Sequence, residues 1–154
     1  MLGIRVFCTV SSPTSVRSGP VTIGAAMKMG NCINNRPTIL VVEDVEETRD
    51  GIEQLLKSDG YSVHPARHED EAVTKAARDH PNLILVSLGP SRSDIPATAR
   101  TIRSRAHLLP TVPIVIFCSP TLDEGAELAI GESTYMIRPD NFDQLRTLLH
   151  RLLY

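Results

Sequence analysis

The feature that most constrains this chain is a regular alternation of short apolar runs with amphipathic segments, which begins at Pro37. Each apolar run is shorter than an ordinary helix and is bounded by turn-forming or charged residues. This pattern is typical of strands that are buried on both faces of a parallel sheet. The predicted strands are Ile39–Val42, Tyr61–His64, Asn82–Val86, Pro113–Cys118 and Tyr135–Ile137.

The segments between these strands place apolar residues at helical spacing and end at residues that stop helices. Gly60 follows the first segment, and Pro81 prevents the second from continuing. Asp94 is a typical N-cap for the third segment, and Pro96 is tolerated in a first helical turn. The predicted helices are Glu46–Ser58, Glu69–Asp79, Asp94–Ile102, Leu122–Ile130 and Phe142–Leu153.

Strands that alternate with helices in this way predict an α/β fold, namely a doubly wound five-stranded parallel sheet with helices on both faces. Binding sites of such sheets form where loops leave the carboxyl ends of the strands. Polar or reactive side chains stand at several of these ends. They are Glu43, Asp44, Ser87, Cys118 and Arg138.

Residues 1–36 differ in composition from the rest of the chain. They carry four basic residues and no acid, whereas residues 37–154 carry 12 basic and 18 acidic residues. They are also rich in Ser, Thr, Gly and Pro, without an apolar run long enough to build a core. We therefore predict a disordered or loosely packed tail at 1–36, or a start codon assigned too far upstream, and one domain at 37–154.

The composition of the chain favours a cytoplasmic protein without a membrane span or a nucleic-acid partner. Three cysteines without metal-ligand spacing do not indicate a disulfide framework, which favours a reducing compartment. No uninterrupted apolar stretch is long enough to cross a bilayer. The chain has no Trp, three Tyr and three Phe, so a stacking platform for nucleic-acid bases is not evident.

The polar strand ends occur in the order found in the receiver domain of bacterial response regulators, which residues 37–154 resemble. Receivers begin with an apolar strand that ends in two acids, here Glu43 and Asp44. Their third strand ends in the phosphate-accepting aspartate, and Ser87 occupies that position here. Asp94 matches an acid of the following loop. The resemblance implies the strand order 2-1-3-4-5 of CheY-like proteins.

The last two strands carry the remaining matches to the receiver pattern. Receivers end their fourth strand in Thr or Ser, and the matching residue here is Cys118. Their fifth strand carries an aromatic residue followed by Lys-Pro, which Tyr135 and Arg138-Pro139 match. The resemblance thus implies switch or phosphate-contact roles for Cys118, Tyr135 and Arg138.

The resemblance also implies chemistry that these residues have partly lost. A receiver aspartate takes a phosphoryl group from a phosphohistidine, and magnesium held by the acids neutralises the developing charge. Ser87 is a neutral hydroxyl at that acceptor position, so we expect it not to be phosphorylated. Glu43 and Asp44 lack a third carboxylate, and we expect at most a weak or vestigial magnesium site and no other cofactor. An ion-pair cluster with Arg138 is the alternative interpretation of these two acids.

The functional prediction is a stand-alone pseudo-receiver of a two-component phosphorelay, which acts through protein–protein contacts and is not an enzyme. Because the sequence ends at Tyr154, directly after the last predicted helix, we expect its output to pass to a partner such as a histidine kinase or a downstream effector. One alternative is a relay protein phosphorylated at another residue. A second is a flavodoxin-like small-molecule-binding domain. The absence of a glycine-rich phosphate-binding loop after Val42 argues against this alternative.

Overall fold

The computed structural model describes residues 35–88, 94–117 and 119–154. The predicted tail therefore lies almost wholly outside the described residues, as does Cys118. The described part contains six strands and four helices. The strands are β1 (Thr38–Val42), β2 (Ser62–Ala66), β3 (Leu83–Val86), β4 (Ile114–Phe117), β5 (Ala126–Gly131) and β6 (Thr134–Arg138). The helices are α1 (Glu46–Ser58), α2 (Glu69–Asp79), α3 (Ile95–Arg105) and α4 (Phe142–Leu153).

The strands form one sheet in the order β2-β1-β3-β4-β6-β5. Every neighbouring pair is parallel except β5 with β6, which is antiparallel. The five parallel strands follow the order 2-1-3-4-5 that the resemblance to receiver domains implied, with β6 as the fifth of them. The α/β fold and its parallel sheet are thus confirmed, and β5 is an additional strand at the edge.

The prediction of a helix at Leu122–Ile130 is wrong. Gly125 interrupts that segment with a φ of +81°, a conformation outside the right-handed helical region. Glu132 and Ser133 both have positive φ, at 48° and 53°, as a type I′ hairpin turn requires. This turn folds β5 back onto β6, and a strand replaces the helix expected from the apolar spacing.

Alternate residues of the central strands fill two apolar layers, one on each face of the sheet. Leu40 and Val42 of β1 pack with buried residues of α2 and α3. Ile39 and Val41 pack on the opposite face with buried residues of α1 and α4. All four side chains are almost completely buried, so β1 is an interior strand of a sheet that is covered on both faces.

Asp94 caps α3 as predicted, because its Oδ1 accepts a hydrogen bond from the backbone N–H of Ala97 at 2.9 Å. Pro96 lies in the first turn of this helix, where its missing N–H costs no helical hydrogen bond. None of the helices in the described ranges is both long and apolar enough to span a bilayer.

Candidate functional site

The candidate site lies at the carboxyl ends of β1 and β3, which are adjacent parallel strands. Val42 and Val86, the last residues of the two strands, are register partners. The backbone N–H of Ser87 then donates to the carbonyl of Val42 at 2.8 Å. This bond extends the pairing by one residue and brings Ser87 beside Glu43, two residues that are distant in sequence.

Glu43 points into the protein, and only 3% of its surface is exposed. One carboxylate oxygen, Oε1, accepts the backbone N–H of Val45 at 2.9 Å, just before the first turn of α1. The Ser87 side chain, which is also buried, lies beside this carboxyl group and favours its charged form. The side chains of Glu43 and Ser87 are therefore buried at the ends of β1 and β3 and are not exposed to solvent.

The burial of Glu43 changes the pKa of its carboxyl group. Desolvation raises the pKa of the Glu43 carboxyl, and the neighbouring Asp44 carboxylate raises it further. The hydrogen bonds from Val45 and Ser87 favour the charged form and oppose the shift. Burial prevails, so this end of the sheet disfavours negative charge on Glu43. Asp44, by contrast, is exposed.

Arg49 is a contributor that our reading of the sequence missed. Its side chain is buried in α1, and Nη1 donates to the backbone carbonyl of Glu43 at 3.1 Å. A signal for this residue exists in the sequence, because Arg49 lies three and seven residues before Ile52 and Leu56 on the buried face of α1. An arginine on that face must bury the aliphatic part of its side chain. The hydrogen bond of Arg49 to the Glu43 carbonyl then holds the loop that carries Glu43 and Asp44.

Arg138 and Tyr135 lie on β6, two strands away from β3. The guanidinium of Arg138 is exposed, and its Nη1 donates to the carbonyl of Leu122 at 3.1 Å. No ion pair in the described part of the chain joins Arg138 to Glu43, so the proposed ion-pair cluster does not include the buried acid. Tyr135 is half-buried opposite Val115. The predicted switch role of Cys118 concerns a residue outside the described ranges.

The donor chemistry at these strand ends does not fit a firmly held magnesium ion. Magnesium prefers charged carboxylate oxygens. Burial disfavours the charged form of Glu43, whose Oε1 already accepts a hydrogen bond from Val45, and Ser87 contributes a neutral hydroxyl. Within the described ranges, no group of three His, Cys, Asp or Glu side chains is placed to bind a metal ion. Asp44 remains as the one exposed carboxylate of the pair.

Sequence comparison finds response regulators as relatives of this chain. Response regulator MprA of Mycobacterium leprae is 29% identical over 116 residues, which cover 75% of this chain and 50% of the relative. The probable transcriptional regulator ycf27 of Cyanophora paradoxa is 26% identical over 121 residues, covering 77% of this chain and 49% of the relative. The chain thus spans about half the length of these curated relatives. No protein-family model matches it.

Structure comparison finds receiver domains. The N-terminal domain of a response regulator/sensory box/GGDEF three-domain protein from Carboxydothermus hydrogenoformans is 26% identical, with a TM-score of 0.55 over 75% of this chain and 93% of that one. Response regulator TrrA of Thermotoga maritima, in complex with Mg²⁺ and BeF, has a TM-score of 0.58 at 23% identity over 76% of this chain and 99% of that one. The likeness to TrrA shows a shared fold. Together, the comparisons confirm the resemblance to response-regulator receivers of the CheY-like type.

Proposed function

We propose that this chain is a receiver-like signalling module of a two-component system that acts through protein contacts without phosphorylation at Ser87. One observation carries the proposal: the side chain at the acceptor position is a neutral hydroxyl that is buried beside a buried carboxyl group. A receiver needs an ionised and accessible nucleophile at this point, and Ser87 is neither.

The electrostatics of the site also argue against a phosphorylated Ser87. A phosphoryl group adds roughly −1.5 to −2 charges at neutral pH. It would stand beside Glu43, where burial and the charge of Asp44 already disfavour one negative charge. The donor set argues against a magnesium ion that could offset the added charge. A phosphoserine at this position would therefore be destabilising.

Proton transfer is a further obstacle. A serine hydroxyl must lose its proton during attack, whereas an aspartate is already ionised at neutral pH. Glu43 is the side chain that contacts the hydroxyl, and it remains a far weaker base than the alkoxide it would have to generate. The chain therefore keeps the receiver scaffold without the group that makes receivers accept phosphate. A histidine kinase or a downstream effector is the partner class that this scaffold suits.

The experiment is intact-mass spectrometry of the chain after incubation with magnesium and acetyl phosphate. Wild type and Ser87→Ala should both stay unmodified, whereas Ser87→Asp restores a carboxylate at the strand end and should gain a phosphoryl adduct. An adduct on the wild type that maps to Ser87 and is absent from Ser87→Ala would contradict the proposal. An adduct on wild type and Ser87→Ala alike would instead indicate a relay protein phosphorylated at another residue.

A further inference from the structure

Within the described part of the chain, the strand β5 forms an open edge of the sheet, since it pairs there with β6 on one side only. It carries two exposed apolar side chains, Leu128 at 48% and Ile130 at 39%. Proteins usually protect such an edge with lysine, proline or a bulge. Between Ala126 and Gly131 there is neither lysine nor proline, and the one register irregularity lies between Ala129 and Gly131, at the hairpin end. This irregularity lies beyond Ala129, so the strand from Ala126 to Ala129 carries none of these protections within the described residues.

The exposed apolar residues of β5 lie on the face of the sheet that α3 covers elsewhere. Leu128 is the register partner of Met136, which packs in the same layer as α2 and α3. Ile130 lines a groove of about 280 Å³ together with Pro96 and Arg100 of α3. Because β5 takes the place of the helix predicted between β4 and β6, this layer ends at α3 within the described part of the chain. Leu128 and Ile130 therefore form an exposed apolar stripe beside the open edge.

The backbone of β5 is oriented for pairing with a further strand. The N–H of Ile114 donates to the carbonyl of Ser133, and the N–H of Gly125 donates to the carbonyl of Arg138 at 2.6 Å, so Met136 and Arg138 turn their backbone groups towards β5. Leu128 is the register partner of Met136, so its backbone groups face β6, and those of Ala129 face away because the direction alternates along a strand. A partner strand would find an outward donor and acceptor at Ala129.

The charges on β5 favour a second copy of the same strand as the partner. Glu127 is the one charged residue of β5, and it is ion-paired with Arg151 of α4 on the opposite face. In an antiparallel register centred on Ala129, Leu128 faces Ile130 of the second copy, and Glu127 faces Gly131. Apolar residues then meet apolar residues, and no like charges stand opposite each other.

We propose that β5 pairs antiparallel with β5 of a second copy of this chain, so that the two sheets join across a two-fold axis. Such a pairing uses the same surface of both copies and closes on itself, which gives a dimer rather than a fibre. It satisfies the outward backbone groups of Ala129 and covers the apolar stripe. An extended strand from another protein could occupy the same edge, and the experiment distinguishes the two.

The first test is sedimentation equilibrium of the full chain and of two leucine-to-lysine variants. Wild type should dimerise, and Leu128→Lys should weaken the dimer by about tenfold or more, because two lysines are placed at one small interface. Leu109→Lys is the matched control, since Leu109 is 68% exposed and lies outside β5. It should dimerise like the wild type. Thermal unfolding of all three proteins shows whether each remains folded.

The second test is register-specific and does not depend on a disruptive substitution. Ala129→Cys places two cysteines opposite each other at the two-fold axis, within the roughly 4–7 Å between Cα atoms that a disulfide spans. Glu127→Cys is the control, because Glu127 faces Gly131 in this register. Oxidation should cross-link Ala129→Cys well above the wild type, which supplies the background of the three native cysteines, and Glu127→Cys should stay at that background.

Three outcomes overturn the proposal. The first is a wild type that stays monomeric at every concentration, which would leave the edge to a strand from another protein. The second is a dimer that a folded Leu128→Lys variant retains at undiminished affinity. The third is an Ala129→Cys variant that cross-links no better than the wild type or Glu127→Cys.

Discussion

The Ser87 side chain lies beside the carboxyl group of Glu43, and both side chains are buried at the ends of adjacent strands. In a receiver these two positions belong to a charged acidic site. Here a neutral hydroxyl lies next to a carboxyl group whose pKa is raised by burial. The contact makes the site a small polar network inside the protein rather than an exposed nucleophile with a metal beside it.

The first prediction concerns the pH dependence of stability at Glu43. Its pKa is raised in the folded protein, so the folded state binds the proton more tightly than the unfolded state. The resulting stabilisation is fully present below the ordinary glutamate pKa and is lost as pH rises through the raised value. Glu43→Gln should lack this loss, so its free energy of unfolding relative to wild type should improve between about pH 4 and pH 7.

Urea unfolding at a series of pH values measures this difference. Glu47→Gln is the control for the loss of one negative charge, because Glu47 is exposed in the first turn of α1. If Glu43→Gln and Glu47→Gln followed the same pH profile, burial of Glu43 would not be the cause.

The second prediction concerns the interior strand β1. Leu40 is 1% exposed and packs against buried residues of α2 and α3. Leu40→Ala should lower the free energy of unfolding by about 2–5 kcal/mol, because it removes apolar contacts and leaves a cavity. Leu109→Ala, at a residue that is 68% exposed, should change it by less than about 0.5 kcal/mol. Equal denaturation midpoints for the two variants would contradict the position of β1 in the core.

The third prediction compares two glycines that have open space around the position of an added Cβ atom. Gly131 has a φ of +96°, whereas Gly51 lies in α1 without a positive φ. Gly51→Ala should stabilise the protein by about 0.5–1 kcal/mol, because alanine restricts the unfolded chain and suits a helix. Gly131→Ala should destabilise it by about 1 kcal/mol or more, since alanine is strained at positive φ.

Thermal unfolding of the two glycine variants supplies the measurement, and the sign is the decisive result. A stabilising Gly131→Ala would show that the backbone at the hairpin end of β5 does not require a positive φ.

The fourth prediction concerns the loop before β4. Arg103 is buried in α3, and its Nη1 and Nη2 donate to the carbonyls of Leu109 and Val112, each at 2.9 Å. Arg103→Ala should lower the free energy of unfolding by about 1–3 kcal/mol, because two charge-assisted hydrogen bonds are lost. Arg103→Lys should recover only part of this, since lysine cannot donate in the same planar fork. Arg100→Ala, at an exposed position on α3, is the control.

Hydrogen exchange at the backbone amides of residues 107–109, 111 and 112 provides a second readout for this variant. Exchange should accelerate in Arg103→Ala and stay unchanged in Arg100→Ala. If Arg103→Ala exchanged and melted like the control, the loop would not depend on the arginine.

The sequence pattern was sufficient to predict the five parallel strands, whereas their order was implied by the resemblance to receiver domains. Strands such as Ile39–Val42 and Leu83–Val86 are apolar over consecutive residues, because both faces of a central parallel strand are buried, and this signal is local. The N-cap at Asp94 is equally local, since its partner Ala97 is only three residues away. The sequence also placed Glu43 and Ser87 at strand ends, where sites of this fold lie.

Only the tertiary structure decided the parts that depend on distant residues. The segment Leu122–Ile130 has apolar spacing that suits a helix, yet Gly125, the turn at Glu132–Ser133 and pairing with β6 make it an edge strand. The proximity of Ser87 to Glu43 likewise requires β1 and β3 to be adjacent in register. Periodicity reports how each segment is buried, whereas pairing and side-chain contact depend on which segments meet, and that is settled by the assembled sheet.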